Sequence, residues 1–273
     1  MEIELHAHTH HSRGSKIPVE VLMSPTDLVR EAKRIRLDAV AVTDHSESSG
    51  WKEALEAGKR YGVTVIPGIE IKTEEGHLIG LGLNEHIDDG MSVDETVERI
   101  KQQGDVSVAP HPFDIRNDGI KNPFKKTDAV EIFNSLGVDR LSNELAEKRA
   151  KETSVSMVVG SDAHSKEMLG RSINRVRAHD MDSALKQIKM GHVRWTKSYT
   201  PMPVLVSWAR DRLLHSYPDV IQYVTTNYSR PKASFSKYFL KRFVMSNNPN
   251  WIKFCNFSLW MTRRYSWFKT RTM

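Results

Sequence analysis

Two stretches decide the fold: Glu2-Ile3-Glu4-Leu5-His6-Ala7-His8 at the start of the chain, and Asp38-Ala39-Val40-Ala41-Val42-Thr43-Asp44-His45 further on. Each is a short β-type run that ends in residues able to do chemistry. Working outward, similar runs recur at 63–66, 77–83, 106–109, 128–133 and 155–159, which with 2–5 and 38–43 makes seven expected strands. Amphipathic stretches separate them. Ser24-Pro25 reads as an N-cap and first-turn proline for a helix to about residue 37, with Val21, Leu28, Ala32 and Ile35 on one face. Further helices are expected at 51–61, closed by Gly62, at 92–104 behind the cap Ser92, at 138–151 and at 181–190. Strands that are apolar throughout, alternating with helices, imply an α/β fold with a parallel sheet covered by helices.

In such a sheet the C-terminal strand ends converge on one face, where sites are built. His6 and His8 follow the first strand, His45 the second, Glu70 the third, His111 the fifth, and Asp162 and His164 the seventh. His77 opens the fourth and is the exception. His-x-His and Asp-x-His set two donors on one side of a pleat, so both can bind one ion. Pro110 and Pro112 stiffen the turn that presents His111. Asp44 is expected to orient a histidine, and Glu131 stands between ligand and core-edge acid. His10, His11, His86, His179, His192 and His215 lack the strand-end pattern and read as solvated or structural.

Composition narrows the class. With 273 residues, 39% apolar and 27% charged, the chain is an ordinary globular protein rather than a disordered or disulfide-rich one. Cys255 is the single cysteine, so no intramolecular disulfide or cysteine cluster forms and a metal must be held by nitrogen and oxygen. No leader-like or membrane-spanning run is legible, and a cytoplasmic location is expected.

The ordered set His6-Ala7-His8-Thr9, Ser12, Thr43-Asp44-His45, Pro67-Gly68-Ile69-Glu70, His77, Gly80-Leu81, His111-Pro112 and Ser161-Asp162, His164 resembles the PHP (polymerase and histidinol phosphatase) family over residues 1–193. The resemblance implies a distorted seven-stranded β/α barrel that hydrolyses phosphate esters with two or three divalent ions, Zn, Mn or Fe. It implies a first ion on His6, His8, Glu70 and Asp162, a second sharing Glu70 and adding His77 and His111, and a third on His45 and His164. Relatives often continue as Ser-Asp-Gly after the first pair, where this chain has Ser12-Arg13-Gly14. A guanidinium cannot bind a cation, so the third ion is expected to be weak or absent and Arg13 to contact phosphate instead.

Two cations sharing one carboxylate lie about 3.5–4 Å apart, suited to polarising a phosphoryl oxygen and activating water. Asp162 would take the proton, His45 or His164 would protonate the leaving oxygen, and Arg13, Arg116 and Arg171 would clamp phosphate. No Gly-x-x-x-x-Gly-Lys or Gly-x-Ser-x-Gly motif is present, which disfavours nucleotide-driven transfer and serine hydrolysis. The expected substrates are nucleotides or short oligonucleotides. The alternatives are a small-metabolite phosphatase, such as one for histidinol phosphate, and a non-catalytic metal- and nucleic-acid-binding module.

Residues 194–273 differ from the rest: 14 Lys and Arg face two acids, and 17 of the 22 aromatic residues lie there. This region is expected to be a basic helical appendage in three pieces, near 203–215, 219–228 and 235–267, broken by Pro218, Pro231 and Pro249. Three roles are open to it: a nucleic-acid surface, a membrane-surface helix, or a packed helical core whose cations are only solvated.

Overall fold

The computed structural model describes residues 1–12, 17–246 and 248–271, so Arg13 lies outside the described residues. Among the described residues one sheet of nine strands organises the fold: β1 Glu2–Glu4, β2 Ala39–His45, β3 Thr64–Lys72, β4 His77–Leu81, β5 Val106–Ala109, β6 Ala129–Asn134, β7 Ser156–Gly160, β8 Ser172–Arg175 and β9 Arg194–Lys197, in the order β7-β6-β5-β4-β3-β2-β1-β8-β9. The helices are α1 Pro25–Arg34, α2 Trp51–Tyr61, α3 Val93–Gln102, α4 Leu141–Ala150, α5 Met181–Lys189, α6 Met202–His215, α7 Tyr217–Asn227, α8 Arg230–Val244 and α9 Asn250–Arg271. All seven expected strands form. Two more, β8 and β9, are short and polar and carry no apolar run that would announce them.

The sheet nearly closes. Beyond β1 and β7, Ala7 and Ala163 form a parallel bridge, with His8 N donating to Ala163 O at 2.9 Å and Ala163 N to His6 O at 3.2 Å. That bridge sets His6 and His8 beside Asp162 and His164. The strands β1, β2 and β3 pair in parallel, as do β5, β6 and β7, but β4 is antiparallel to both β3 and β5. The all-parallel expectation therefore fails at β4. A turn over residues 73–76 makes the reversal: Thr73 Oγ1 accepts from Gly76 N, and Gly76 at φ 147° adopts a conformation that a Cβ would strain. Because β4 runs backwards, its first residue, His77, lies at the same mouth as the C-terminal ends of its neighbours.

Alternation along the strands distributes the core. Val40 and Val42 pack under Leu28, Val29 and Ala32 of α1 and Ala54 and Ala57 of α2, while Ala39 and Ala41 face the other way with Ile3, Ile66 and Leu81. Leu185 and Ile188 of α5 join that second group together with Ala39 and Val106, residues at the N-terminal ends of their strands, and so close the end away from the site. Each such fully buried Leu or Ile contributes about 1.5–3 kcal/mol. Ser24 accepts from Asp27 N and Ser92 from Glu95 N, as their capping positions require.

Past β9 the appendage is helical, but in four pieces. Pro218 and Pro231 sit in the first turns of α7 and α8, where a missing N–H costs nothing, so they start helices rather than interrupt them, and the expected third piece divides before Asn250. Val204, Leu205 and Trp208 of α6 pack on the core beneath α1 and α2. Trp251 packs edge to face on Phe239 and Phe243, both at 5.1 Å, and Phe254 joins them, whereas Phe235, Tyr238, Phe257, Trp260 and Tyr265 are exposed. The rings thus divide between packing and surface. Among the described residues no helix is long and apolar enough to cross a membrane.

Candidate metal centre

Glu70, near the end of β3, is the middle of the site. Its Oε2 lies 3.3 Å from His6 Nε2, 3.4 Å from His8 Nε2 and 3.1 Å from His45 Nδ1; its Oε1 lies 2.9 Å from His77 Nδ1 and 3.0 Å from His111 Nε2. One carboxylate therefore faces two sets of imidazoles. His6 Nε2 and His8 Nε2 are 3.1 Å apart, and Asp162 Oδ1 is 3.5 and 3.2 Å from them. Donors bonded at about 2.1 Å to one ion stand roughly 3.0–3.4 Å apart for octahedral or tetrahedral angles, so the donor set fits a divalent cation.

The backbone aims these groups. His111 at φ 27° and Asp162 at φ 51° occupy left-handed conformations just after their strands, where side chains leave the pleat and turn into the mouth. Gly160 has no side chain because there is no room: a Cβ would stand 1.8 Å from Glu131 Oε1 and 2.8 Å from His6 Cβ.

Both oxygens of Glu131 are engaged behind the donors. Its Oε1 accepts from His6 Nδ1 at 3.1 Å, and its Oε2 accepts from His111 N and Asn134 Nδ2, both at 2.9 Å. With Nδ1–H donated to Glu131, Nε2 is the His6 nitrogen turned into the centre, where a bound ion would take the place of its proton. In the same way His164 Nδ1 donates to Asp162 O at 2.9 Å, leaving its Nε2 free. Asp44 departs from the expectation that it orients a histidine: both of its oxygens accept from Thr9, through N and Oγ1, and so fix the loop after β1.

Charge follows the geometry. Burial disfavours a charged Glu70, but His45, His77 and His6 outweigh it and hold the carboxyl well below its usual range. Asp162 is held down against burial by His6, His8 and His164. Burial opposes charge on His6, yet Asp162, Glu131 and Glu70 raise it well above the ordinary imidazole range. Burial wins at His45 and His164, which are pushed down toward the neutral form that binds cations.

Three residues of the cleft carry no signal in the sequence pattern. Glu20, on the loop before α1, places its carboxylate 3.7 Å from His45 Nε2 and 3.8 Å from His164 Nε2, with Oε2 buried and without a hydrogen-bond partner among the described residues. Trp208 and Arg212 of α6 line the same cleft, of about 400 Å³; the Trp208 ring lies 5.0 Å from that of His164, and the Arg212 guanidinium is 3.7 Å from Glu20. Arg116 lines the cleft too, while its guanidinium donates to Asp114. Arg171 does not line the cleft; its guanidinium donates to Glu167 O at 3.0 and 3.1 Å. His10 and His11, beside Glu53, form a separate and partly exposed group.

Comparison with known proteins agrees with this arrangement. An uncharacterized protein of Methanocaldococcus jannaschii is 38% identical over 153 residues, which is 54% of this chain and 89% of that protein. A 5'-3' exoribonuclease of Salmonella typhimurium is 34% identical over 87 residues, 30% of this chain and 27% of that one. The fold is shared with a crystal structure from Bifidobacterium adolescentis assigned as a metal-dependent phosphoesterase, at a TM-score of 0.51 and 18% identity, covering 68% of this chain and 94% of that one. The PHP-domain family profile matches residues 4–189, more than half of the chain and all of the donors above. With its barrel-like α/β fold and its cluster of imidazoles around one shared carboxylate, this chain belongs to the PHP-domain family and is a hydrolase of phosphoric ester bonds.

Proposed function

We propose that the chain hydrolyses nucleotides or short oligonucleotides with two or three divalent ions, Zn, Mn or Fe. The observation that supports it is Glu70, whose two oxygens face separate sets of imidazoles. One ion falls to His6, His8, Glu70 and Asp162, and a second to Glu70, His77 and His111. His45 and His164 take a third together with Glu20, which supplies the acid that is absent at Arg13. Bound there, such ions supply Lewis-acid polarisation of a phosphoryl oxygen and a water of lowered pKa.

The chain's own groups do the remainder. Arg116 and Arg212 hold the non-bridging oxygens; their charges repel one another across the cleft, and an anion between them relieves that repulsion. Asp162, steadied by Asn134 Nδ2 at 3.2 Å, takes the proton from the attacking water. Where the third cluster holds no ion, His164 first takes up a proton at Nε2, beside the Glu20 carboxylate at 3.8 Å, and then passes it to the leaving oxygen. Residues 1–193 carry the chemistry in this reading and 194–273 add substrate contacts. Nucleic acid as a substrate is supported by the likeness to an exoribonuclease and by exposed rings paired with cations, Arg264 over Trp260 at 5.4 Å and Arg242 over Tyr238 at 5.7 Å.

The test is a turnover screen of mononucleotides, oligonucleotides and histidinol phosphate with Mn or Zn. Hydrolysis of nucleotides or oligonucleotides is expected, with Arg212→Ala raising KM at least tenfold, as loss of one charge-assisted hydrogen bond requires. Turnover of histidinol phosphate alone would transfer the chain to the metabolite phosphatases, and no turnover of any of them would overturn the nucleotide reading of the substrate.

A further inference from the structure

Beside the metal cleft lies a second, open cavity, of about 440 Å³, bordered by the turn after β6, the segment before the 3-10 turn Asn122–Lys126, and helices α6, α8 and α9. The two spaces meet at Arg116, Leu136 and Trp208, which line both. Their chemistry is opposite. The cleft is crowded with imidazoles and carboxylates, whereas the cavity is walled chiefly by apolar side chains, among them Leu205, Phe243, Phe254 and Leu259. Its few charged groups already have partners: Asp114 accepts from Arg116 at 2.7 Å, and Asp139 accepts from Ser142 Oγ at 2.6 Å. A polar ligand body would find little to bond there, while an apolar one would lose only water.

We propose that this cavity holds the apolar body of the substrate's leaving group while its phosphoryl end is cleaved among the ions next door. The inference rests on the phosphoesterase reading above and narrows the substrate to phosphoesters carrying an aromatic or aliphatic portion. Trp208 is the partition. Its Nε1 donates to Glu20 O at 3.0 Å and its ring lies against His164, so the indole is fixed between the centre and the cavity. The volume lies in the range of small-ligand sites and leaves room for more than a single ring. The appendage is thereby part of the site, since α6, α8 and α9 form most of the wall.

The experiment compares two pairs of phosphate monoesters on the metal-loaded full chain: phenyl with 1-naphthyl phosphate, and ethyl with octyl phosphate. Within each pair the leaving groups are of similar acidity, so KM reports the apolar body rather than the chemistry. The larger member should have a KM about tenfold lower. Ser258→Trp, at an exposed position on the α9 wall, and Ala209→Phe on the α6 wall should each erase the difference and leave the smaller member unchanged. A gain for the naphthyl ester alone identifies a stacking site, and a gain in both pairs a general apolar one; either supports the proposal. Equal KM values within both pairs, or a gain that survives both variants, overturns it while the phosphoesterase reading stands. Should none of the four esters be hydrolysed, the substrate reading is decided by the nucleotide screen above, and calorimetric binding of 1-naphthyl phosphate decides the cavity separately. Binding lost in Ser258→Trp upholds it; no binding, or binding unchanged in the variant, overturns it.

Discussion

Replacing Glu70 by Gln changes one oxygen for an amide and tests the shared ligand most directly. The wild-type carboxylate has five imidazole nitrogens within 3.4 Å, three on Oε2 and two on Oε1. Glutamine removes the negative charge and presents two N–H protons to one of those sets. At an effective dielectric of about 20, a unit charge about 4 Å from another is worth about 4 kcal/mol, which is roughly three decades of affinity for each ion facing Glu70. Metal content after dialysis should fall from two or more per chain to one or none, and turnover should fall by at least about three decades. Near-ultraviolet circular dichroism and thermal melting establish that the variant is folded. Retention of more than about a tenth of the wild-type rate with unchanged metal content would refute the shared-ligand reasoning.

Further outcomes follow from single positions. Gly160→Ala drives a methyl into Glu131 and should release the carboxylate from His6, lowering metal affinity or turnover about 10–100-fold; an unaffected enzyme would show that Glu131 does not orient His6. Glu20→Gln should lower the bound metal by one ion per chain, measured by elemental analysis, and unchanged stoichiometry removes Glu20 from the third cluster. Asp105 is buried, and burial with Asp182 nearby pushes its carboxyl up to about 6. A raised acid favours the folded state only while protonated, so its cost appears as pH climbs from about 4 to about 6 and persists above, up to roughly 3 kcal/mol. Asp105→Asn should therefore raise Tm above pH 6 and change nothing near pH 4; a gain independent of pH would assign the effect to packing instead.

What the sequence disclosed depended on whether the signal was local. Strand runs and caps are local, and so are donors at strand ends, which is why His6, His8, His45, Glu70, His111, Asp162 and His164 could be placed at one mouth from periodicity alone. Strand direction is not local: a run of alternating side chains looks the same parallel or antiparallel, and the reversal at β4 was carried by the small turn at residues 73–76. The apolar run at 63–66 announces only the start of β3, because Pro67-Gly68 resembles an ending, yet the strand continues to Lys72; Gly68 is needed where a Cβ would stand 2.7 Å from Gly80 O on β4. Glu20, Trp208 and Arg212 lay beyond reach altogether. A loop acid and two residues of a distant helix become neighbours of His45 and His164 only through tertiary packing, in which the Trp208 Nε1 bond to Glu20 O spans 188 positions.

The reversal at β4 also explains how one carboxylate can serve both sets of donors. In the sheet order β5-β4-β3-β2-β1, Glu70 stands on the middle strand. Its Oε2 faces the imidazoles that follow or end β1 and β2, and its Oε1 faces those of β4 and the turn after β5. With β4 parallel to its neighbours, residue 77 would lie at the far end of the barrel, and Oε1 would keep His111 alone from that side. The antiparallel register, Lys72 opposite His77, returns that imidazole to within 2.9 Å of Glu70. A four-residue turn thus gives Oε1 a second imidazole beside His111, and the proposed sharing of Glu70 between two ions depends on that turn as much as on the side chains themselves.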